Sequence, residues 1–307
     1  MDESFPIQLQ VITLETEKLA CQTLAINLVN PAELVTTDPL SKLALPPELD
    51  LTREVVLFGT APTWLYANLV DRCYDAPWVA CYNIREKAAV VVASRVDWPR
   101  PGDVLPVIFN QIPGAAILIG GPPNSGKSVL SNALRCCLQK RVPQRKVYLH
   151  RANWDGEGNW TYEAANRKEV EPLVDYNTRR IHLLPNAEKL LTNYFSYHAQ
   201  AVRNICDVVD VALVDIGGMP QAVKMPVIKE CSHYIIISNS PEKVPEWHNF
   251  LQLYLKPIAV IHSVLEEREY LIETDPFLQV VAGPWIAGET FTVPELLLKH
   301  FMSLLSL

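Results

Sequence analysis

The 307-residue chain has no long apolar run. Its apolar runs, such as "AAILI" at 115–119 and "YIII" at 234–237, are of strand length and far short of a membrane span. No membrane association is therefore expected. The seven cysteines are Cys21, Cys73, Cys81, Cys136, Cys137, Cys206 and Cys231. They contain no CxxC pair and no histidine-spaced cluster, which argues against a zinc site. An odd, scattered set suits a reducing compartment, with thiols serving as small apolar fillers. Positive charge is also short: 27 Lys and Arg stand against 34 Asp and Glu, a formal net charge of −7. That balance argues against a broad grip on long nucleic acid and leaves a local basic site open. The opening "MDESFP" is acidic and lacks the basic-then-apolar pattern of a secretory signal. A cytoplasmic location is the expectation. No internal repeat or low-complexity segment occurs.

What is present is a chain long enough for two domains, with 49% apolar residues to fill their cores. Residues 7–14 and 22–29 alternate or run apolar, as strands do. A proline-dotted stretch follows from Pro31 to Pro47. "REVVLFGTAPTWLYANLVDRCYDAPWVACYN" then reads strand, turn, helix, strand. Val55 to Phe58 form the first strand, Gly59 breaks it, and Pro62 suits a first helical turn. Trp64, Leu65, Leu69 and Val70 recur at helical spacing. "KAAVVVAS" is a further strand and "PRPGDV" a turn.

"NQIPG", 110–114, marks a boundary, giving domains at 1–112 and 113–307. Beyond it, strands and helices alternate. "AAILIGG", "KVYLHRAN", "VALVDIGG", "CSHYIIISNS" and "LKPIAVIHSV" are five apolar strands. "GKSVLSNALRCCLQKR" and "NAEKLLTNYFSYHAQAVRNICDVVD" are helices between them. This rhythm predicts an α/β fold with a mainly parallel sheet covered on both faces.

The first of these strands runs into "GGPPNSGKS". Gly121, Gly126, Lys127 and Ser128 satisfy the phosphate-loop spacing G-x-x-x-x-G-K-[ST]. The glycines let the backbone curl so that successive N–H groups face phosphate oxygens, and the helix behind adds the positive end of its dipole. Gly121, Asn124, Ser125, Gly126, Lys127, Ser128 and Val129 are the expected nucleotide-binding residues. Lys127 reaches toward the β and γ phosphates, and the Ser128 hydroxyl holds Mg²⁺. Asp215, ending the strand "VALV", is the candidate partner for that metal. Its "DIGG" setting lacks the glutamate that motor ATPases carry directly after the aspartate, which leans toward a kinase or a switch. No Asn-Lys-x-Asp motif reads guanine, so ATP is expected over GTP.

Catalytic candidates follow the second strand. In "RANWDGEGNW", Asp155 or Glu157 can orient or deprotonate an acceptor hydroxyl, or simply belong to a solvated glycine-rich turn. Arg167, Lys168, Arg179 and Arg180 either supply a lid that neutralises developing charge or are scattered surface cations. Asn239, after "YIIIS", is a weaker candidate for sensing the γ phosphate. The expected catalytic set is Lys127, Asp155 and Asp215, with Ser128 and Asp215 on the metal.

Residues 55–104 resemble the small manganese-dependent CRISPR-associated ring nucleases of type III antiviral defence. "VVLFGTAPTWLYANLV", "APWVACYNIREKAAVVVAS" and "PGDV" carry the resemblance. It implies a compact α/β domain that dimerises, with dimers stacked around cyclic tetra-adenylate and a composite, metal-supported cleavage site. Some members of that family carry a following phosphate-loop ATPase or kinase-like domain, in the same order as here. The resemblance implies cyclic RNA contacts from Trp64, Tyr82, Asn83 and Arg85, and allows Mn²⁺ beside Mg²⁺. A homo-oligomer built on dimers is expected.

The sequence departs from the family where cleavage is carried out. The Tyr-Asp-x-Arg turn reads Tyr82-Asn83-Ile84-Arg85, and Asn83 can neither hold a metal as a carboxylate nor act as a base. Asp71, Tyr74 and Asp75 stand where the family shows histidines. Asp71 and Asp75, four apart, share a helix face if the helix persists, as a replacement metal pair or a solvated face. Trp64 and Trp78 suit a core or can stack on adenine. Three readings remain open: an ATP-dependent regulator of cyclic oligoadenylate, a non-enzymatic ATP-gated module that sequesters it, and a small-molecule kinase.

Overall fold

A computed structural model describes residues 6–28, 37–153, 184–286, 289–290 and 292–307. Asp155, Glu157, Arg167, Lys168, Arg179 and Arg180 lie outside the described residues. The chain divides into two compact units, Met1–Gln111 and Ile112–Leu307.

In the front unit, β1 (Ile7–Thr16), β2 (Ala20–Leu28), β3 (Val55–Gly59), β4 (Trp78–Asn83), β5 (Ala88–Ser94) and β6 (Val104–Ile108) close into a barrel. β3 is parallel to both β2 and β4; the other neighbours are antiparallel. Closure comes from Glu15 opposite Ile108 and Thr16 opposite Val107. Closing the ring leaves no unpaired edge. One apolar cluster draws on every strand, as a barrel interior requires: Leu14, Cys21, Val56, Trp78, Ala80, Ala89, Val91, Leu105 and Val107. A second cluster on the other strand faces holds α1 (Thr63–Arg72) through Leu65 and Leu69.

The resemblance implied strands and helix in one small α/β unit, and both are present. The closing strand β6 goes beyond the sequence expectation. Pro101 and Pro106 make its segment read as a turn, and only its pairing to β1 and β5 makes it a strand.

The rear unit is a seven-stranded sheet in the order β12-β13-β11-β10-β7-β9-β8. Its strands are β7 (Ala115–Gly120), β8 (Val147–Arg151), β9 (Val211–Asp215), β10 (His233–Ser238), β11 (Lys256–Ser263), β12 (Arg268–Glu273) and β13 (Leu278–Gly283). All neighbours are parallel except β12, which runs against β13. β7, β9 and β10 are buried along nearly their whole length, so both sheet faces are covered. Continuous apolar runs such as "VALV" and "YIII" are what that position demands.

α2 (Lys127–Arg141) and α6 (Glu295–Leu305) cover one face through Leu130, Leu134, Leu138, Leu297, Leu298 and Phe301. Burying a side chain such as Phe301 contributes about 1.5–3 kcal/mol. α3 (Ala187–Cys206) packs on β7 and β9, and α5 (Val244–Leu251) on β10; the short α4 (Met225–Lys229) lies between them in sequence. The five strands read from the sequence are present, and β12 and β13 extend the sheet. All six residues of β12 are exposed, so no burial period marks it, and its pairing with β13 defines it.

Candidate functional site

The site stands at the C-terminal end of β7, between β10 and β9. Gly121 has φ +148°, and a Cβ there would lie 1.9 Å from the Ile237 carbonyl oxygen. Only glycine lets the loop leave the strand so close to β10. Gly126, φ +89°, begins α2, and a Cβ there would meet Trp285 Cβ at 2.7 Å. The loop is folded around one acceptor. The Ser125 hydroxyl donates to the Pro122 carbonyl at 2.7 Å, and Lys127 Nζ donates to the same oxygen at 2.6 Å. Asn239 Nδ2 donates to Asn124 O at 3.4 Å and ties the outer loop to the end of β10. The side chain of Val129 is buried, so its contribution to a ligand is its backbone N–H in the open first turn of α2.

Register places the acidic partner. β9 lies directly beside β7, with Asp215 opposite Ile119, and Asp215 is fully buried. The Ser128 hydroxyl donates to Asp215 Oδ2 at 2.7 Å. Arg151, ending β8 opposite Asp215, brings Nε to 3.5 Å from the same oxygen. Asp215 Oδ1 is buried with no hydrogen-bond partner among the described residues.

A buried carboxylate oxygen without a donor is costly unless a cation meets it. The donor set therefore fits a hard divalent ion. Ser128 donates its O–H to Asp215 and keeps its lone pairs for a metal, and carboxylate and hydroxyl oxygens suit Mg²⁺.

Burial holds Lys127 down, from the ordinary 10.5 to about 8; the nearby Asp215 carboxylate works in the opposite direction. An ammonium kept short of water in this way gains from a phosphate's negative charge.

Three further residues that no sequence motif marks belong to this end of the sheet. Arg151 sits in the run "KVYLHRAN", where a strand-end arginine belongs to no motif. Asn153, two residues on, packs its side chain so closely on Gly217 that a Cβ there would lie 2.4 Å from it. Lys224 is fully buried; its ammonium donates to the carbonyls of Gly217 and Met219, bracing the loop after Asp215. Its ring neighbour is Trp247, 5.7 Å away, which itself packs under Gly120. A lysine in a short apolar helix gives no sequence signal for this role.

In the front unit the cyclic RNA candidates do not form one group. Trp64 packs against the cluster under α1, whereas Tyr82 packs against the barrel-interior cluster. Tyr82 lies 4.9 Å from Phe58 and 5.8 Å from Phe109, ring centre to ring centre. Asn83 Oδ1 accepts the Arg85 backbone N–H at 3.1 Å, so the turn holds its own shape.

The Asp71 and Asp75 pairing on one helix face is not realised. α1 ends at Arg72, and Asp75 stands beyond it, exposed, 3.9 Å from Arg95. Arg95 in turn stacks on the Tyr74 ring at 3.2 Å. Among the described residues, no group of three or more His, Cys, Asp or Glu side chains is placed to hold a metal. Nor is any helix among them long and apolar enough to cross a membrane.

The parallel sheet, the loop at the end of its β7 strand and the acid ending the neighbouring strand define the rear unit as a phosphate-loop NTPase fold. Residues 28–106 match the family described as CRISPR-associated protein (Cas_csx3).

Among solved structures, the chain is similar to the kinase domain of Escherichia coli tyrosine kinase ETK. The identity is 16%, over 48% of this chain and 67% of that one, with a TM-score of 0.35. It is also similar to a ParA family ATPase from Chlorobium tepidum TLS: 13% identity, 49% of this chain, 74% of that one, TM-score 0.36. A third is cobyrinic acid a,c-diamide synthase from Mycobacterium smegmatis with bound ATP analog and magnesium. There the identity is 10%, over 50% of this chain and 74% of that one, with a TM-score of 0.38.

Proposed function

We propose that this protein binds Mg-ATP in its rear unit and cyclic tetra-adenylate in its front unit, acting on that messenger in CRISPR-linked antiviral defence. The observation that carries the nucleotide half is the hydrogen bond from Ser128 to Asp215, because it joins the loop motif to a buried acid with one oxygen still to be satisfied. Bound magnesium supplies Lewis-acid charge on the phosphate oxygens. Ser128 and Asp215 are the residues to hold it. Loop N–H groups and Lys127 position and neutralise the phosphates. Asp155 remains the proposed residue to direct an acceptor hydroxyl.

The match of residues 28–106 and the resemblance of 55–104 support the messenger half. Arg85 is its phosphate contact, Tyr82 and Trp64 offer rings, and Asn83 shapes the turn. Assembly through dimers belongs to the same proposal.

The test is incubation with γ-labelled ATP, with and without cyclic tetra-adenylate. Label passing to phosphate or to an acceptor is the expected result. Label that leaves ATP under neither condition removes the catalytic half. Asn83, in place of a carboxylate, favours a second reading, in which the front unit sequesters the cyclic RNA without opening it. Calorimetry would then show both ligands bound with no turnover of either.

A further inference from the structure

The loop from Gly120 to Ser128 contains a single basic residue, Lys127. A triphosphate carries more negative charge than one ammonium and one divalent ion neutralise. The structure supplies a second cation from elsewhere in the chain. Arg151 ends β8, its side chain is largely buried, and its Nε lies 3.5 Å from Asp215 Oδ2. β8 is the far neighbour of β9, so Arg151 approaches Asp215 from the side opposite the phosphate loop.

A metal held by Ser128 and Asp215 would draw the terminal phosphates of a nucleotide toward this end of the sheet. A cation beside that aspartate, and away from the loop, therefore stands at the terminal phosphate rather than at the α phosphate or the base. A guanidinium carries five N–H donors in a fixed fork, so it can serve a carboxylate and a phosphate oxygen together. Asn153, on the same strand end and packed on Gly217, limits how far this edge can shift.

Resting on the Mg-nucleotide reading, we infer that Arg151 is a cis arginine of this site. It holds Asp215 when no nucleotide is bound and contacts the terminal phosphate of a nucleoside triphosphate when one is. It thereby makes the site distinguish triphosphate from diphosphate. The residue is built into the sheet, so the distinction needs no second chain.

The experiment is calorimetric binding of Mg-ATP and Mg-ADP to the full chain and to Arg151→Ala, Arg151→Lys and Lys127→Met. Arg151→Ala is expected to weaken ATP roughly 10- to 100-fold and ADP by no more than about threefold. Arg151→Lys should recover part of the ATP loss, because it restores charge without the fork. The ratio of ATP to ADP affinity is unaffected by the fraction of protein that folds, so a partly folded variant still reports. Equal loss for both nucleotides, or loss for neither, overturns the role of Arg151 while Lys127→Met still weakens both. A wild-type chain that binds neither nucleotide overturns the nucleotide reading itself, and the inference with it.

Discussion

Ser128 and Asp215, 87 residues apart in the chain, are joined by a 2.7 Å hydrogen bond in which the serine hydroxyl is the donor. The direction matters, because a serine that donates to the aspartate presents its lone pairs to a metal. Asp215→Asn keeps the size of the side chain but removes the charge and can turn an N–H₂ toward the ion. Magnesium should strengthen ATP binding to the wild type. In the variant that strengthening should disappear, with affinity in magnesium down roughly 10- to 100-fold. Titrations with and without a chelator measure it.

Lys127 gives a pH dependence whose sign can be worked out. It loses its proton near pH 8 in the folded chain and near 10.5 when unfolded. Between those values the unfolded chain binds more protons, so this residue makes stability rise with pH; below pH 8 the full cost of burying the charge is present. Over the window the wild type should gain about 3 kcal/mol relative to Lys127→Met. The comparison with the variant is needed because burial pushes Cys21, Cys73 and Cys81 up to about 11. Those thiols act with the opposite sign above their ordinary pKa. On the proposed nucleotide reading binding requires the charged amine, so ATP affinity should fall by up to about tenfold per pH unit above 8. A flat affinity from pH 7 to 9.5 would contradict this.

A Cβ at Gly121 would lie 1.9 Å from the Ile237 carbonyl oxygen, too close for any side chain. Gly121→Ala must part β7 from β10 or move the loop. The expected loss is at least about 2 kcal/mol of stability. Thermal unfolding of the variant beside Gly102→Ala provides the control: a Cβ at Gly102 meets nothing within 4 Å, and both positions share the strain of a positive φ.

On the proposed messenger reading, Arg85→Ala should weaken cyclic tetra-adenylate binding roughly 10- to 100-fold, the range for a charge-assisted phosphate contact. Asn83→Asp keeps the acceptor for the Arg85 N–H and should leave the turn intact. Manganese-dependent opening of the cyclic RNA that appears or rises in Asn83→Asp would identify the missing carboxylate as the limit on cleavage. Chromatography of the RNA after incubation reads both variants.

Local pattern made much of this protein legible. A strand, a glycine-rich turn with Lys and Ser at its end, and an apolar helix are contiguous, so the phosphate loop and its backbone contribution to a site are present in nine consecutive residues. The strands β7, β9 and β10 were legible because burial on both faces forces unbroken apolar runs. Tertiary structure decided what depends on neighbours far apart in the chain. Pairing with β1 and β5 made a strand of the proline-containing β6, and pairing with β13 made one of the exposed β12. The end of α1 at Arg72 separated Asp71 from Asp75, because a four-residue spacing has meaning only while the helix lasts. Register between β8 and β9 set Arg151 opposite Asp215, a relationship that no spacing in the sequence encodes.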